Sequence, residues 1–160
     1  MPPNAKAPSA RRVELLERAY GYALAHGLAD LSLRPLAAAI GSSPRVLLFL
    51  FGSKEGLVRA LLERARQDEV ALLARVRAEV GTATLVPLTR AIWGWLAAAP
   101  HRPLLTLWVE AYGRSLLEPD GPWSAFARQT VQDWLDLLTG TPQAPWAGAG
   151  TDAAEATLAL

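Results

Sequence analysis

Cysteine is missing altogether from the 160 residues, which excludes disulfides and thiolate metal sites and leads us to expect a cytoplasmic protein. No apolar run approaches the roughly 20 residues needed to cross a bilayer, so no membrane is expected as a partner. The first residues, MPPNAKAPSARR, contain no apolar segment of the kind a secretory signal requires. Histidine is scarce too, with only His26 and His101. His26 stands beside Gly27 at the end of a helical stretch and reads as a partner of the helix C-terminal dipole. His101 follows Pro100 and reads as a turn residue. There is no glycine-rich phosphate loop, no H-E-x-x-H, no G-x-S-x-G and no carboxylate pair at a recognisable spacing. No enzyme, cofactor or bound metal is therefore expected. Alternating strand patterns are nearly absent as well, and the expected fold class is all-α.

What is present is an apolar chain of 51% hydrophobic residues, ample for a packed core. Its net charge of +1 conceals an uneven distribution. Residues 1–66 carry ten Lys and Arg against five acids, a net of +5, whereas residues 67–160 carry six against ten, a net of −4. A basic first third on a mildly acidic remainder points to a head that faces a polyanion and a body employed otherwise. All six tryptophans (93, 95, 108, 123, 134 and 146) lie in that second part.

Helix signals recur along the chain. Ser9 can cap a first helix with apolar positions Val13, Leu16, Tyr20, Ala23 and Leu24, stopped by Gly27. Ser32 can cap a short second helix over Leu33–Ile40, closed by Gly41. Ser43 followed by Pro44 is a cap with a proline in the first turn and opens a third helix that ends near Gly52. Ser53 then caps a long fourth helix bearing Leu57, Leu61, Leu62, Ala65, Leu72, Leu73 and Val76 before Gly81. Further helical stretches run from Thr84 to Ala99, Arg102 to Leu117 and Pro122 to Leu138. Residues 140–150 read as a loop, and Thr151 as the cap of one more helix.

A short helix, a GSS turn and a second short helix form the layout of a helix-turn-helix. At 100° per residue, Leu47, Leu50 and Phe51 share one face of the third helix, while Arg45 and Phe49 share the opposite one, flanked by Val46 and Leu48. An exposed Phe beside an Arg suits a DNA major groove, where Arg pairs with guanine and an apolar group meets the thymine methyl. The alternative is a helix buried on both sides with Arg45 merely solvated.

The stretch ADLSLRPLAAAIGSSPRVLLFLFGSKEGLVRALL resembles the DNA-binding head of TetR-type bacterial transcriptional regulators. The similar elements follow in order: a first helix ending HG, a Ser before helix two, LAAAIG, a recognition helix of pattern S-x-x-x-L-x-x-x-F, and G-S-K-E-x-L opening helix four. Together they cover roughly residues 10 to 62. The resemblance implies a helix-turn-helix DNA-binding domain over 1–52, joined by a long helix to a helical ligand-binding and dimerisation domain over 53–160. It implies phosphate contacts from Ser32 and Lys54, with the free N–H groups at the start of helix four aimed at the DNA backbone. It places Ser43, Pro44, Arg45, Leu48 and Phe49 at the groove. The family commonly has Tyr or His at 48 and 49 and His at 50. Leu48, Phe49 and Leu50 supply no such hydroxyl or imidazole contacts, which bears on affinity more than on fold.

For the body the resemblance implies a small-molecule effector and a homodimer on a double-stranded operator. From the residues themselves, Trp93, Trp108, Tyr112, Phe126 and Trp134 are candidates to line an apolar cavity, or else to fill the core. Glu110 and Arg114, one turn apart, are candidates to orient a polar group of the ligand, or else an exposed salt link. The expected function is a ligand-responsive DNA-binding regulator, a repressor released by a small apolar or aromatic effector. The alternative is a helical protein-interaction module with weakened DNA binding. Because the family dimerises through its last two helices and only the start of one follows Thr151, the expectation is a chain cut short or a dimer built differently.

Overall fold

A computed structural model of the chain describes residues 9–81 and 85–139, and every regular element among them is helical. The loop expected over 140–150, Trp146 and the helix expected after Thr151 lie outside the described residues. The helices are α1 (Ala10–His26), α2 (Leu33–Ala39), α3 (Pro44–Phe51), α4 (Lys54–Val80), α5 (Leu85–Leu96), α6 (Arg102–Leu117) and α7 (Ser124–Thr139). A short 3-10 turn, Ala99–His101, leads into α6. The all-α expectation is met.

Serine caps place the starts of α1, α3 and α4. Ser9 Oγ accepts the Arg12 N–H, Ser43 Oγ that of Val46 and Ser53 Oγ that of Gly56, each cap contributing about 1 kcal/mol. Ser32 stands at the start of α2 but makes no side-chain capping bond. Its expected capping role is not seen, and its hydroxyl stays exposed.

The buried stripe of α1 is Leu15, Ala19, Tyr20 and Ala23. Val13, expected inside, is 45% exposed. The misplacement is a one-turn ambiguity, since Leu15 and Ala19 continue a three-and-four spacing as well as Val13 and Leu16 do.

Helix α4 is the spine. Its 27 residues span about 40 Å at 1.5 Å per residue, and it packs on α1, α3, α5, α6 and α7. One continuous apolar cluster extends from Leu15 and Leu47 through Leu57, Leu61 and Leu72 to Trp108, Phe126 and Leu137. The boundary drawn at residue 52 therefore divides elements that share a core.

Polar ties reinforce the α1–α4 contact. Arg64 bridges Glu17 and Asp68 at 2.8 and 2.6 Å and lies over the Tyr20 ring, whose hydroxyl donates to Asp68 at 2.8 Å. Burial, helped by the Asp68 carboxylate, pushes the Tyr20 hydroxyl pKa well above its ordinary value.

Candidate nucleic-acid interface

The chain bends by 102° between α2 and α3. Leu36, Ala37 and Ile40 from the first side and Leu47 and Phe51 from the second are buried at this corner. Arg12 fixes the far end of α3 to α1: its guanidinium lies 5.0 Å from the Phe51 ring centroid, and its Nε donates to the Leu50 carbonyl at 3.3 Å.

With one face of α3 anchored, the other meets solvent. Phe49 is 86% exposed and Leu48 41%, with Val46 and Arg45 also exposed. The face assignment from periodicity holds at each of these positions, and the doubly buried alternative does not. A side chain as apolar as Phe49 gains about 2 kcal/mol on burial, a gain that folding of this chain does not collect.

Ser43 and Lys54 are exposed like Ser32, and Pro44 is half-buried at the first turn of α3. Arg34 in α2, Arg45 in α3 and Lys54 at the start of α4 are exposed and form no ion pair among the described residues, so these three cations stay available to an external anion. By contrast, Arg11 and Arg18 of α1 are both engaged with Glu14.

The start of α4 differs from expectation. Ser53 Oγ occupies the Gly56 N–H, and the Glu55 carboxylate is held by its own backbone N–H and the Ser53 hydroxyl, which lowers its pKa. Most of the N–H groups expected to face phosphate are thus already taken, and Lys54 is left as the α4 contribution. The junction also needs a glycine: a Cβ on Gly56 would stand 2.1 Å from the Phe51 carbonyl oxygen. A glycine inside a helix costs about 1 kcal/mol, and here it allows α3 to end directly against α4. The sequence carried a signal for this, a helix-breaking residue two positions after Lys54.

The expected ligand set in the body does not gather into one site. Trp93 is 69% exposed on the outer side of α5. Trp108 is core, stacked on Trp95 at 6.1 Å, which in turn stacks on His101 at 3.7 Å. Its indole Nε1 is buried without a hydrogen-bond partner.

Glu110 is engaged within the fold. Its carboxylate accepts the N–H groups of Leu28 and Ala29 in the α1–α2 turn, and it reaches them because Gly27, at φ 82°, carries no Cβ; one there would stand 3.3 Å from Glu110 Oε2. Arg114 pairs with Glu118 at 2.6 Å, so the expected Glu110–Arg114 link is not formed. Glu110 is instead a strap from α6 to the turn that leads into α2.

Tyr112, Phe126 and Trp134 do converge, but on a polar group that sequence reasoning missed. Glu69 of α4 is 0% exposed. It accepts from Thr130 Oγ1 at 2.9 Å and from Trp134 Nε1 at 2.5 Å. Burial raises its carboxyl pKa despite these two donors. Tyr112 packs edge-on against Phe126 at 5.8 Å, and burial beside the Glu69 charge pushes its hydroxyl up to about 12. Arg66 adds a two-bond pair with Asp133 at 2.9 and 3.0 Å. The available signal was the gap in the α4 stripe between Ala65 and Leu72, where helical spacing puts residue 69 inside. A cleft of about 460 Å³ lies alongside, with Arg59, Leu62, Arg66, Pro122 and Gln129 among its walls. Of the expected set, only Phe126 lines it.

Metal-binding groups of three or more His, Cys, Asp or Glu are absent among the described residues. Scanned against models of protein families, the chain matches none, and no curated protein matches its sequence.

Proposed function

We propose that the chain is a DNA-binding transcriptional regulator of TetR-type architecture, with α2 and α3 as a helix-turn-helix. The observation that carries this is the solvent-facing side of α3. Arg45, Leu48 and Phe49 project from a helix whose other face is anchored in the core, and the 102° bend from α2 falls within the range of such motifs. Unpaired Arg34, Arg45 and Lys54 supply cations for phosphate or base contacts, and Ser32 and Ser43 supply exposed hydroxyls.

One copy of α3 offers too few base contacts for useful specificity, so the regulator is a homodimer whose two α3 helices enter successive major grooves about 34–36 Å apart. Trp93, Val109, Leu116 and Leu117, all strongly exposed, support an association surface on the body. It acts as a repressor released by a small effector, for which the cleft of about 460 Å³ walled by Leu62, Pro122 and Phe126 together with Arg59 and Arg66 is the candidate site. Coupling runs through α4, which begins at Lys54 beside α3 and continues beneath α6 and α7. Effector and DNA then change each other's affinity by the same factor, typically about 1–3 kcal/mol.

The exposed apolar groups of α3 favour one rival, a helical interaction module that has lost DNA. Two substitutions separate the readings. Arg45→Ala should cost about 1–3 kcal/mol on a selected duplex and relax preference at one base pair. Lys54→Ala should weaken all duplexes alike and reduce the salt slope by about one unit. Equal effects of both on selected and random DNA would remove Arg45 from base reading, and no DNA binding at all would favour the interaction module.

A further inference from the structure

Among the eight residues of α3, Pro44 to Phe51, Arg45 is the only one whose side chain can form a hydrogen bond. The rest of its solvent-facing side is hydrocarbon: Val46, Leu48 and Phe49. In a major groove each base pair presents donors and acceptors, and thymine alone among the four bases adds a methyl group. Hydrocarbon set against a donor or acceptor strips it of water and offers nothing in return. Set against a methyl, it buries apolar area on both sides. Ser43, just ahead of α3, already accepts the Val46 N–H, so the outward face of α3 itself, with one hydrogen-bonding fork and three apolar groups, reads one position by hydrogen bonding and the others by their methyl groups.

We infer that the outward face of α3 is a reader of pyrimidine 5-methyl groups. Arg45 takes a guanine at the start of the helix, and Leu48 and Phe49 take methyl groups nearby. Four residues separate Arg45 from Phe49, a rise of about 6 Å, which covers roughly two base-pair steps of 3.4 Å. The occupant is duplex DNA rather than an apolar protein surface, because the same α2–α3–α4 segment carries the exposed cations Arg34, Arg45 and Lys54, none ion-paired among the described residues, on a head of net charge +5 over residues 1–66.

One consequence is regulatory. Cytosine methylated at C5 carries the same group at the same place, so methylation of a cytosine at such a position strengthens binding. The inference rests on the DNA-binding function proposed above and adds the chemistry that is read.

The test uses the full chain. A duplex is selected from a random pool, then remade with each thymine replaced singly by uracil, which removes only the methyl. Burying one such group contributes about 0.8 kcal/mol, which converts to a loss of about fourfold for each methyl read. The expected result is such a loss at one or two positions per half-site, and its absence at one of them in Phe49→Ala. At that position a 5-methylcytosine·guanine pair should bind several-fold more tightly than cytosine·guanine. Phe49 makes no core contact, so the variant keeps its fold. Uracil replacements that all stay within twofold of the parent duplex, or losses identical in Phe49→Ala, would overturn methyl reading while leaving DNA binding intact. A pool that yields no enriched duplex would overturn both.

Discussion

The head leaves a phenylalanine in water, and the body buries a glutamate. Phe49 is 86% exposed, while Glu69 is 0% exposed. Each inverts the usual placement, yet the two inversions differ in kind. Glu69 is met by Thr130 and Trp134, with Arg66 adding a favourable charge, so its surroundings account for it. Phe49 has no such partner among the described residues. An internally satisfied exception reports on how a fold holds together, whereas an unsatisfied one reports on what the fold is for.

The sharpest way to break this contrast is at Glu69. Glu69→Ala leaves Thr130 Oγ1 and Trp134 Nε1 buried without an acceptor and should lower stability by about 2–5 kcal/mol. Chemical denaturation measures it, and a loss below about 1 kcal/mol would mean that α7 does not depend on this carboxylate.

Next in size is Gly56→Ala, which forces a methyl toward the Phe51 carbonyl at 2.1 Å and should cost about 1–3 kcal/mol through displacement of α3 from α4. A gain in stability, as helix propensity alone would give, would contradict the junction described here.

Smaller again is a pH effect. Burial raises the Glu69 carboxyl above its ordinary 4.5, so the folded chain holds that proton more tightly than the unfolded one. The resulting stabilisation is complete below about pH 4.5 and is lost as pH rises through the raised folded value. Glu69→Gln keeps an acceptor without a titrating group, and its melting temperature should fall less than the parent's over that rise. Parallel curves for the two proteins would locate the pH dependence elsewhere.

The smallest expected effect is the most telling for the comparison. Phe49→Ala should change stability by no more than about 0.5 kcal/mol, as for other exposed positions. A loss several times larger would make Phe49 a structural residue after all.

The two regions were also unequally legible. In α3 local rules sufficed: Ser43–Pro44 opened it, Gly52 closed it, and a 100° periodicity separated Leu47 and Phe51 from Arg45 and Phe49. These signals are read within a few residues of one another. In the body the helices of α6 and α7 were found to within a residue or two, since Pro and Gly punctuate them. The roles of their side chains were not found, because they depend on partners far away in the chain. Glu110 acts 82 positions from Leu28 and 81 from Ala29, and Glu69 acts 61 from Thr130 and 65 from Trp134. Spacing within one helix says which face a residue occupies, but not which N–H or hydroxyl waits there. An aromatic-rich composition likewise does not distinguish a cavity from a packed stack such as His101–Trp95–Trp108.

In the proposed function the exposed face of α3 and the exposed cations Arg34, Arg45 and Lys54 meet DNA. The affinity of the full chain for its best duplex, followed as salt is raised from 50 to 200 mM, tests it most directly; those concentrations bracket the range in which counterion release is steep. The account predicts a linear fall of log affinity against log salt with a slope of several units, reduced by about one in Lys54→Ala. An affinity that stays flat over this range, or that strengthens with salt as apolar protein contacts do, would contradict it.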